Sequence, residues 1–386
     1  MSFPDPDQLI AACADDSSDG GLTVRTVLDP LAGEGAPVKP ATYLGGVFQA
    51  GRRWWGEGAD SRPVDILVID NEPSQANRLE AALGGMRAEL GLPEIVLDLS
   101  GVGPLPPHLP RRISSFQFPH RNADAYLRDS LLDGVPFLRS GVGQAIFGAT
   151  ADRPQALLEW CPQALLYGFW QSHLGKKRSQ AKLARSWTSE IIGVAPAADD
   201  VRRLGLKGDP LNLSVTDPVS YDEAAHDSWT FSDKGKKLAD VGHGQVPVSG
   251  DDAALSGVSF REVVQQSTVS FASLRRVRAG EGSAEARALL ASLGIVAHVA
   301  AFGRPFSLRS GADLRPRRIE WLWLGRDGDR ILDPPDVSAA TALFVGCVTR
   351  AEAAGFPVGG RWPGEPLVLT PAPNLSEAIR KSWPVD

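Results

Sequence analysis

The chain has 386 residues, 43% hydrophobic and 22% charged, with 40 Lys plus Arg against 46 Asp plus Glu and a formal net charge of −6. That composition excludes a disordered or fibrous chain and supplies a sizeable core, arranged as two or three domains or as one with large insertions. The three cysteines, Cys13, Cys161 and Cys347, are odd in number and lack CxxC spacing, which excludes a disulfide framework and a cysteine zinc site.

In chain order, the start MSFPDPDQLIAACADD is acidic, unlike a signal peptide. GLTVRTVLD, 21–29, alternates as a strand and leads into a Gly/Pro-rich loop to about residue 63. VDILVID, 64–70, reads as a buried strand; Pro73-Ser74 opens a helix with Leu79, Leu83, Met86 and Leu90 on one face, ended by Gly91 and Pro93. EIVLDLS, 94–100, is the next strand, so strand, helix and strand predict one α/β layer. Helical patterns follow near 122–133, 153–160 and 178–192. Residues 205–257 are rich in turn formers and read as an inserted loop subdomain. TVSFASLRRVR, 268–278, starts as a strand with a second half able to turn helical. Ser283 caps a helix to Gly294, IVAHVAAF continues apolar, IEWLWLG alternates as a strand, and a helix over about 338–354 and the strand EPLVLT follow. No apolar run is read as approaching the roughly 20 residues that span a bilayer. No membrane partner and a cytoplasmic location are expected.

Charge is segregated along the chain. Residues 1–20 hold five Asp and no Lys or Arg, whereas no acid occurs between Glu159 and Glu190, a gap containing Lys176, Lys177, Arg178, Lys182 and Arg185. A second acid-free gap carries Arg275, Arg276 and Arg278, and residues 304–318 hold five arginines against Asp313 alone. On a helix starting near Arg178, positions 178, 182 and 185 share one face as an uncompensated ridge. Such a ridge is either a solvated face or an anion-binding surface, with Tyr167, Trp170 and Trp187 nearby as stacking groups or core residues.

Catalytic signatures are absent. The six histidines form no HxH, HExxH or HxxxH pair. SGVGQAIFG, 140–148, has Ile146 at the third glycine position of a dinucleotide loop, and Ser172-His173 lacks a nucleophile elbow. No cofactor and no metal are expected.

SQANRLE (74–80), FPHRNADAYLRDS (118–130), PQALLYGFWQSH (162–173), RSWTSEIIG (185–193), GHGQVP (242–247), TVSFASLRRVR (268–278) and AAFGRPFSLRSGADLRP (300–316) occur in this order. Together they resemble the backbone subunit of type I-G (formerly I-U) CRISPR surveillance complexes, in the Cas-seven branch of the RAMP superfamily. One departure stands at Gln171, where the resemblance implies an acidic residue between the aromatic and the serine.

The resemblance implies an α+β fold: an RRM-like, ferredoxin-like palm with finger insertions over 1–204 and 258–386, and a thumb-like insertion at 205–257. It implies a non-catalytic subunit that holds CRISPR RNA, meets target DNA through guide pairing, joins copies of itself in a head-to-tail filament, and assembles with other CRISPR subunits. A variable guide calls for contacts to sugar and phosphate, not to base edges. The expected RNA contacts are Lys176, Lys177, Arg178, Lys182 and Arg185, then Arg275, Arg276 and Arg278 on a palm strand, then Arg309 and Arg78. For Arg78 an internal pair with an acid is the equal alternative. Gly242, His243 and Gly244 mark the thumb-like loop. Two rival readings are an RNA-guided endoribonuclease recruiting Asp233, Asp240 or Asp251, and a protein scaffold whose ridge meets acidic partners.

Overall fold

In the computed structural model, Asp5 and Gln8 exchange backbone-to-side-chain hydrogen bonds, a capping box that starts helix α1 (Pro6–Cys13). The structure describes residues 1–56, 58–172, 181–198, 205–207, 210–211, 213, 217–221, 229–243, 246–248 and 255–383. Lys176, Lys177, Arg178, Gly244 and Asp251 lie outside the described residues. The alternating GLTVRTVLDP forms β1 (Gly21–Pro30), with Leu22 and Val24 in the core and Thr23 and Arg25 on the other face. The supposed loop to residue 63 contains a short hairpin (Thr42–Tyr43 with Val47–Phe48) and β2 (Ala50–Trp55), which pairs with β3 (Arg62–Asp70). Helix α2 (Glu72–Gly85) starts at Asn71, whose side chain accepts from the Ser74 N–H, and Pro73 fits its first turn.

The remaining main elements are the two-stranded ribbon β4 (Phe169–Trp170) and β5 (Lys182–Leu183), then β6 (Trp187–Pro196), β7 (Phe260–Ser270), α3 (Ser283–Phe302), β8 (Asp313–Leu324) and α4 (Val337–Ala353). The large sheet runs β8, β1, β7, β6, β3, β2, with Phe306–Ser307 and Arg330–Leu332 on the outer side of β8. Its four central strands pair antiparallel, and by chain order the fourth lies beside the first, the first beside the third, the third beside the second. With α2 before β6 and α3 between β7 and β8, and those two helices packed together, this is a ferredoxin-like, RRM-like α+β core.

Several expectations are corrected. Within the expected 178–192 helix, the described residues 181–192 are not helical: they form β5 and the start of β6, because WTSEIIGV is rich in aromatic and β-branched residues that pair on both edges with β7 and β3. The 122–133 helix reduces to Arg121–Ala123 and Ala125–Arg128, ended by the strand Ser130–Leu132. The strand, helix, strand run does not make one layer. β3 joins the large sheet, whereas Ile95–Asp98 pairs in parallel with Leu367–Pro371 in a second, five-stranded sheet, since alternation of elements does not choose a pairing partner.

α3 does not stop at Gly294 but runs to Phe302, and Gly282 precedes it in the left-handed region where Ser283 was the expected cap. It is also long and apolar enough to cross a bilayer by length and composition, against the reading that no such run exists; 83% of its most apolar window is buried inside the fold. A terminal helix, Pro373–Ser382, was not anticipated.

The main core lies between the large sheet and α1 to α4. Consecutive residues then serve opposite faces: Ile191 and Val263 join one cluster, Ile192 and Val264 another across the sheet. Described residues of the 205–257 insertion form two further strand pairs, Gly205–Lys207 with Val246–Val248 and Val219–Tyr221 with Trp229–Phe231. The insertion connects β6 to β7, which are sheet neighbours, and the Ala197 N–H donates to the Ser259 carbonyl at its base.

Candidate nucleic-acid interface

The acid-free gap between Glu159 and Glu190 is built around the β4–β5 ribbon. Gly168 opens it at φ +81°, where a side chain would meet the Leu183 carbonyl oxygen at 2.7 Å. Phe169 and Leu183 pair on the buried side, Trp170 and Lys182 on the exposed side. Trp170 is 58% exposed, and the Lys182 ammonium sits 5.4 Å from its ring centroid. Lys182 therefore stands on an extended ribbon and not on a helical ridge. Arg185, past its end, pairs with Glu72 at 3.0 Å.

Of the three aromatics flagged in the sequence, only Trp170 is available to a ligand. Tyr167 is buried under the Arg121 guanidinium, and burial, followed by nearby Glu80, holds its hydroxyl well above the usual range. Trp187 is buried against His298 and Gly294.

Arg78 and Arg309 come together on a fully buried carboxylate. Arg78 donates to Asp70 Oδ2 at 2.9 Å and Arg309 to Asp70 Oδ1 at 2.7 Å; Gln75 and Ser74 donate to the same carboxylate at 2.6 and 2.9 Å. Arg309 also donates to the carbonyls of Lys39 and Ile69, and Arg78 to that of Leu308. For Arg78 the internal pairing is the observed alternative. This node pins the segment around Leu308 to the end of β3, and no sequence motif announced it.

Arg275, Arg276 and Arg278 are not on a palm strand: β7 ends at Ser270, and Phe271–Leu274 turns helical as Ser270 accepts from the Ser273 N–H. Arg275 donates to the carbonyls of Ala12, Ala14 and Asp19, tying α1 to the start of β1. Arg276 and Arg278 are exposed, the latter 3.8 Å from Asp152. Gly242 is exposed at φ +89°, and exposed His243 lies 5.6 Å, centroid to centroid, from Trp229.

The outer face of the ferredoxin-like sheet carries Thr23, Arg25, Thr188, Glu190, Gln266, Thr268 and Glu320 around a concavity of about 440 Å³. Its arginines are matched by acids: Arg25 with Glu262 at 3.2 Å, and Arg53 with Glu190. Pairing there leaves the ribbon better suited than the sheet face to hold phosphate.

Residues 22–197 match the family model of CRISPR-associated protein GSU0053 (Cas_GSU0053). This similarity, over fewer than half of the residues, supports a CRISPR-associated protein. The CRISPR-associated match takes in β1 to β6, and with them the ribbon, and stops before the insertion. No curated protein matches the chain.

Proposed function

We propose that the chain is the backbone subunit of a type I-G CRISPR surveillance complex, a cytoplasmic, non-catalytic protein that holds CRISPR RNA. In this reading it polymerises head to tail along the guide, presents it to target DNA for pairing, and assembles with other CRISPR subunits. The observation that carries the reading is Lys182 beside exposed Trp170 on a ribbon inside the CRISPR-associated span. A cation next to an exposed indole serves any sequence, because every nucleotide offers a phosphate and a stacking face. The head-to-tail arrangement is heterologous, which yields filaments when rotation does not close a ring.

The test is binding of single-stranded CRISPR RNA at several salt concentrations. Four neutralised phosphates give a slope of log affinity against log salt of about −3, and Trp170→Ala weakens binding by about 1–3 kcal/mol if one base stacks there. Absence of salt-dependent binding, or unchanged binding after charge reversal at Lys182 and Arg185, would defeat the proposal and favour a protein scaffold. Regularly spaced cleavage of complementary RNA with Mg²⁺ would favour the nuclease reading.

A further inference from the structure

We propose that the seam between the β4–β5 ribbon and the Arg121–Ala123 turn is a closed slot for one nucleotide of single-stranded RNA, read at its ribose by the amides of Gln171 and Asn122. The proposal rests on the RNA-holding reading above and names how that site recognises its ligand. Gln171 is 2% exposed and Asn122 fully buried, yet both polar atoms of each amide lack a partner among the described residues. The two belong to one neighbourhood, because the Arg121–Ala123 turn packs against β4 and Gln171 directly follows β4. The hydroxyls of Tyr167 and Ser186 are likewise buried and unpaired among the described residues. Tyr167 ends a helix packed on that turn, and the Ser186 N–H donates to the Leu166 carbonyl.

An unpaired buried polar group is costly, and folded proteins pair nearly all of them. A concentration of such groups where apolar residues would be more stable marks a place kept for a ligand. The chemistry selects the ligand. Amides and hydroxyls both donate and accept, as a ribose 2′-hydroxyl does, and they carry no charge to hold a phosphate. Lys182 supplies that charge on the ribbon's exposed side, next to Trp170.

Sugar recognition also suits a strand whose base sequence varies. One wall is fixed: Arg121, at φ +54°, donates twice to Glu80 at 2.7 Å and once to the Gly168 carbonyl at 3.1 Å. Among the described residues the other wall is held by two residue pairs and by a bond from the Gln171 N–H to the Ala181 carbonyl.

The experiment compares the intact protein and its Gln171→Leu variant, using fluorescein-labelled single-stranded RNA and DNA of one sequence, together with thermal melting. The wild type is expected to prefer RNA by about five- to tenfold, the worth of one or two hydrogen bonds. Gln171→Leu is expected to melt higher and to lose that preference. A variant that melts higher but keeps the wild-type ratio would show that the seam holds only water, and the slot would be rejected. Equal wild-type affinity for RNA and DNA rejects it without any variant and leaves the general RNA-holding reading standing. Failure to bind either strand defeats both. If Gln171→Leu does not fold, Asn122→Leu and the wild-type ratio decide.

Discussion

Asp70 shows how a buried acid makes two arginines structural. Arg309→Ala removes one of its ion-pair partners and leaves a carboxylate in the interior, so unfolding in urea is expected to show a loss of about 2–4 kcal/mol. His298 sits among Trp187, Phe302 and Trp321, and burial pushes its imidazole down to about 3. A depressed histidine binds fewer protons folded than unfolded, so its contribution to stability is complete above the unfolded value near 6.5 and is lost as pH falls toward 3. Wild-type stability should fall by up to about 1.4 kcal/mol per pH unit from this group. His298→Leu, which strands no hydrogen-bond partner of Nδ1, should flatten that acid limb. An equally steep limb in the variant would refute the assignment. At this scale the residue types were legible and their partners were not: Arg78 and Arg309 lie in separate motifs that only folding brings to Asp70.

At the scale of elements, strands with alternating or fully apolar patterns were readable, as β1, β3 and the end of β8 show. The ribbon was misread because positions 178, 182 and 185 satisfy a helical period while the β-branched run after them obeys another rule. Pairing with Phe169–Trp170 is a tertiary event that no local window contains. Gly294 marks a second such event. A Cβ placed there would stand 2.4 Å from the Trp187 ring, so glycine lets α3 lie close on β6. Gly294→Ala, favourable by helix propensity alone, is expected to lower stability by about 1–3 kcal/mol through overpacking, measured by denaturant unfolding. A stabilised variant would mean that the contact relaxes without cost.

Across the whole molecule, the segment between β6 and β7 is expected to be separable from the core. No described residue of 205–257 belongs to the core clusters, and the strands it joins are antiparallel neighbours. Replacing residues 199–254 with a short Gly/Ser linker should leave a cooperative unfolding transition within a few degrees of wild type, followed by circular dichroism. Loss of cooperative folding would show that the insertion supports the palm. By itself the sequence determined a succession of helices and strands with a turn-rich stretch at 205–257, acid-free basic stretches, and ordered motifs whose resemblance implied the α+β class. Those properties are carried by composition, local periodicity and linear order, which survive without a folded chain. Only the tertiary structure decided which cations are spent on internal carbonyls and carboxylates, that Trp170 is the accessible aromatic of three, and that the Gln171 and Asn122 amides are buried without a partner among the described residues. Burial and hydrogen-bond partnership depend on distances between residues remote in sequence, and charge patterning along a chain does not contain them.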